Sequence, residues 1–180
     1  LAQRALNRER QANKIFVLLL RLIFTAYQNP SLARAVGLTD GFPLIAYRSV
    51  AKNLELTADN AENMAEIILD ADGGRLGLDD ATIRKIRDYN EDLDRLTELA
   101  VESVVERDFE KALEAQEIFS DLEDRELSLL KDLPDMDKKR LLQVREVLDA
   151  LQQSAEYAVR NVEIASNLAL NEPSEFTEIS

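Results

Sequence analysis

The sequence predicts an all-α fold of five main helices, and three observations carry that prediction. No segment alternates apolar and polar residues with period two over a strand length, whereas apolar residues recur at steps of three and four along most of the chain. The glycines Gly37, Gly41, Gly73, Gly74 and Gly77 all fall between those periodic stretches. The central stretch 51–69 places Ala51, Leu54, Ala58, Ala61, Ala65 and Ile68 on one narrow stripe. Because most of these side chains are small, a neighbouring helix can come close, so this helix is expected in the middle of a bundle.

The elements follow in order. Residues 1–27 hold helical periodicity through Ala5, Ala12, Ile15, Leu19, Leu22 and Ala26, without a capping residue in front. Through Asn29 this stretch carries Arg4, Arg8, Arg10, Lys14 and Arg21 against Glu9 alone, and positive charge in a first turn opposes the helix dipole. The natural helix is therefore expected to begin upstream. The apolar run 15–24 is too short to span a bilayer and contains Arg21, so no membrane insertion is expected. Asn29-Pro30 stops the helix, and 31–36 reads as one or two turns closed by Gly37. Thr39 or Asp40 caps the long second helix, which has Pro43 in its first turn and runs to about Ala71. Asp79 or Asp80 caps a helix to about Arg107, with Ile86, Leu93, Leu96, Ala100 and Val104 inward, and Asp108 starts another through Leu130. Pro134 separates that helix from the last, 136–170, and the tail from Glu172 is expected to be loose.

Composition narrows the function classes. With 22 basic against 35 acidic residues the net charge is −13, which disfavours direct contact with nucleic acid or an anionic membrane. Cysteine is absent, as expected of a reducing cytoplasm, and with it thiolate chemistry. Histidine is absent too, removing the commonest general base and the Glu-x-x-His pairs of ferritin-type di-iron bundles. No Gly-rich phosphate cradle is present, and a narrow bundle seldom offers the cleft a carboxylate hydrolase needs. An enzyme is not expected.

Beside the alanine stripe runs an acidic one: Glu55, Asp59, Glu62 and Glu66, with Asn63 four past Asp59. Like charges four apart weaken a helix by roughly 0.2–0.5 kcal/mol per pair, so a cation is expected to answer them. Carboxylates four apart point the same way, and two helices bringing such pairs together can satisfy a hard or borderline cation. A solvated acidic face is the plainer reading. Tyr89, Phe119 and Tyr157 read as core or interface aromatics.

The pattern recurs. Displacing the alanine stripe by 97 residues lands on Leu148, Leu151, Ala155, Ala158, Val162 and Ala165, with Asp59 on Glu156 and Glu66 on Glu163. Ahead of each long helix, Glu9 and Asn13 resemble Glu117 and Asp121. A two-fold repeated helical bundle follows, with halves at 1–72 and 78–171 and the tail at 172–180.

The run 54–66, LELTADNAENMAE, preceded by Arg48-Ser49-Val50-Ala51-Lys52, resembles the signature helix of the PhoU family of phosphate-uptake regulators. The resemblance implies tandem three-helix repeats, of which this chain would hold five of six main helices, the first missing or truncated. It implies a cytoplasmic regulator of phosphate homeostasis, typically a homodimer, touching a phosphate transporter ATPase or a sensor kinase. In some members the bundle follows an AbrB-type DNA-binding domain, so DNA contact and a role in transcription regulation would come only through an upstream domain. The family's acid-xxx-Asp pairs can hold iron or another divalent or trivalent metal. Carried over, the candidates are Glu55 and Asp59, then Glu117 and Asp121, with Glu9 and Glu156 completing them and Asn63 and Glu66 nearby. The match is uneven, because Asn13 replaces an acid, Gln152 stands where the first acid of the last helix should be, and Arg160 occupies the Asn63 position. A structural or adaptor bundle without metal or phosphate role is the alternative.

Overall fold

The computed structural model describes residues 2–35, 41–133 and 135–170. Among these there is no strand, and six α-helices account for nearly everything: α1 (Ala2–Gln28), α2 (Pro30–Ala35), α3 (Gly41–Asp70), α4 (Asp80–Glu106), α5 (Phe109–Lys131) and α6 (Lys138–Leu170). The five expected main helices are present, with α2 as the short extra turn. The expected caps at Thr39 and Asp40 and the tail 172–180 lie outside the described residues.

Local chemistry sets the ends. Asp79 caps α4 by accepting from the Thr82 backbone N–H at 2.7 Å, and Asp108 caps α5 by accepting from Glu110 and Lys111 N–H groups. Arg107, in the left-handed region at φ 53°, turns the chain from one into the other. The last helix begins at Lys138, two residues later than the expected Met136, because Asp137 accepts from the Arg140 N–H at 3.1 Å and so takes the capping position.

Helix α6 is the hub. It packs against α3, α4 and α5, and α4 packs against α5, so 80–170 forms a three-helix bundle. Leu96, Leu122, Val104 and Val144 lie fully buried at its centre. Each contributes about 1.5–3 kcal/mol by leaving water. Helix α3 lies between α6 and α1, the central position expected of the alanine-lined helix. The two helices that share the 97-residue echo are thus each other's neighbours. Ala26, Ala33 and Leu44, with Ile23 against them, make a second small core where α1, α2 and α3 meet.

Candidate functional site

Helix α1 runs antiparallel to α3: Ile23 packs near Leu44, Phe16 lies by Lys52, and Glu9 reaches the electrostatic neighbourhood of Asp59 and Glu62. Three carboxylates from two helices therefore converge at one end of this seam. Burial, then Glu55 and Glu9, raise the Asp59 carboxyl above its ordinary value despite the opposing pull of Lys52. Glu62 is raised as well, by desolvation and then by Glu9, Glu66 and Asp59, with Arg10 opposing.

The cation expected to answer the acidic stripe is Lys52. Its ammonium pairs with Glu55 and sits 5.5 Å over the Phe16 ring. That arrangement bears on metal binding. One Glu55 oxygen is taken by Lys52, and Glu9 Oε1 accepts from Asn13 Nδ2 at 3.3 Å. Among the described residues no group of three or more acidic side chains is spaced to hold a metal ion. The donor set as placed does not fit the metal that the resemblance implies.

The other candidates are scattered. Asn63 and Glu66 are exposed on α3, and Glu117 and Asp121 are exposed on α5. Glu156 on α6 pairs with Arg160 at 3.4 Å, so the cation in the Asn63-like position neutralises it. The acids that gather near Glu156 are Glu123, Glu126 and Asp149. Burial, then Asp149, Glu156 and Glu123, raise the Glu126 carboxyl, and the buried Tyr89 phenol beside this group is pushed up to about 12, chiefly by burial. Glu117 lies nine residues before Glu126, two and a half turns along α5 and so on its opposite face. The signal for Glu126 was present in the sequence, since it falls on the inward stripe of Leu122 and Leu129.

A polar ladder between α3 and α6 escaped the sequence reading altogether. Asn53 Nδ2 donates to Asn161 Oδ1 at 2.8 Å. One heptad along, Asn60 Nδ2 donates to Ser154 Oγ at 3.1 Å and to the Ala150 carbonyl at 3.2 Å. Asn161 and Ser154 are buried, so these bonds fix the register of the two central helices. Tyr89 is a core aromatic, Phe119 packs against the core, and Tyr157 is half-buried beneath Arg160 at 5.3 Å.

Fold and seam together define an antiparallel all-α bundle with charged inter-helix seams and no histidine or cysteine in the chain. Residues 1–68 match the family model of the PhoU domain. The first part of the chain, including most of the acid-lined α3, is thus similar to a PhoU domain. No curated protein and no solved structure matches the chain significantly. No helix among the described residues is long and apolar enough to cross a membrane.

Proposed function

We propose that this chain is a cytoplasmic regulator of phosphate uptake that acts through protein–protein contacts, as a homodimer, on a phosphate transporter ATPase or a sensor kinase. The PhoU-domain match over 1–68 is the observation that carries this reading, because it covers the signature helix. The net charge of −13 supports a protein partner over nucleic acid. In a longer polypeptide with an AbrB-type domain, the same bundle would serve as the dimerising or sensing part of a transcription regulator. Deleting the gene is expected to uncouple phosphate uptake from external phosphate, with restoration by the wild-type chain. Uptake that still follows external phosphate in the deletion strain overturns the reading.

The metal-free adaptor is the second reading, favoured by Lys52 occupying Glu55 and by the absence of a three-acid group among the described residues. Elemental analysis of protein prepared without chelator separates the two. The adaptor reading expects no stoichiometric metal. A ratio near one iron per chain that falls in Asp59→Ala, with helicity unchanged, would instead return the acidic seam to metal binding.

A further inference from the structure

We draw no further inference here: the strongest candidate, the exposed apolar face of α1 around Ile15, Leu18 and Leu22, carries nothing because nothing in the structure shows what covers it.

Discussion

Asp59 is the residue on which the electrostatics of the seam turn. Its carboxyl and that of Glu62 sit above their ordinary values of 3.8 and 4.5, so the folded chain holds protons that the unfolded chain has already released. Their contribution to stability is full below those ordinary values and is lost as pH rises through the raised ones. Asp59→Asn removes the repulsion by Glu55 and Glu9, and is expected to raise the melting temperature at pH 7 in chelator, with the gain shrinking towards pH 4. A gain that grows on acidification would contradict this assignment. Asn161 makes the opposite case, since it is buried and answers Asn53. Asn161→Ala leaves the Asn53 amide without that acceptor and is expected to cost about 1–3 kcal/mol in urea unfolding. A cycle with Asn53→Ala should show positive coupling between the two sites. The acidic stripe could be read from spacing within one helix, but the Asn53–Asn161 bond joins residues 108 apart. Spacing shows which side chains share a face and never which distant helix meets that face.

At the scale of elements, sequence reading did best where the backbone is governed by its own side chains. The caps at Asp79 and Asp108 and the break at Asn29-Pro30 depend on groups within a few residues, and each is where spacing puts it. Asp108→Ala is expected to lower stability by about 1 kcal/mol in denaturant titration, because two N–H groups at the start of α5 lose their acceptor. The later start of α6 shows the limit, since Met136 suits helical periodicity but Asp137 supplies the cap. The connection between α3 and α4 is governed from farther away. Gly77 has φ +70°, and an added Cβ would meet the Arg140 guanidinium on α6 at 3.1 Å. Gly77→Ala should therefore destabilise by about 1 kcal/mol or more, through backbone strain and crowding together. The glycine was legible as a turn residue; its contact with α6 was not.

Across the whole molecule, the same alanine-lined helix pattern occurs in two environments, and the difference in stability should follow the number of neighbours rather than the residue type. Ala155 is 1% exposed on α6, which packs against three helices, and no side chain there can grow without displacing another. Ala58, its counterpart, is half-buried on α3. Ala155→Leu is expected to cost about 1–3 kcal/mol from overpacking. Ala58→Leu meets partly open space and has the higher helix propensity of alanine to lose only by a few tenths, so its effect should be near neutral in the isolated chain. Measuring both variants by urea unfolding separates a crowded core from a half-open one. Equal destabilisation by the two substitutions would mean that the two halves are equally filled.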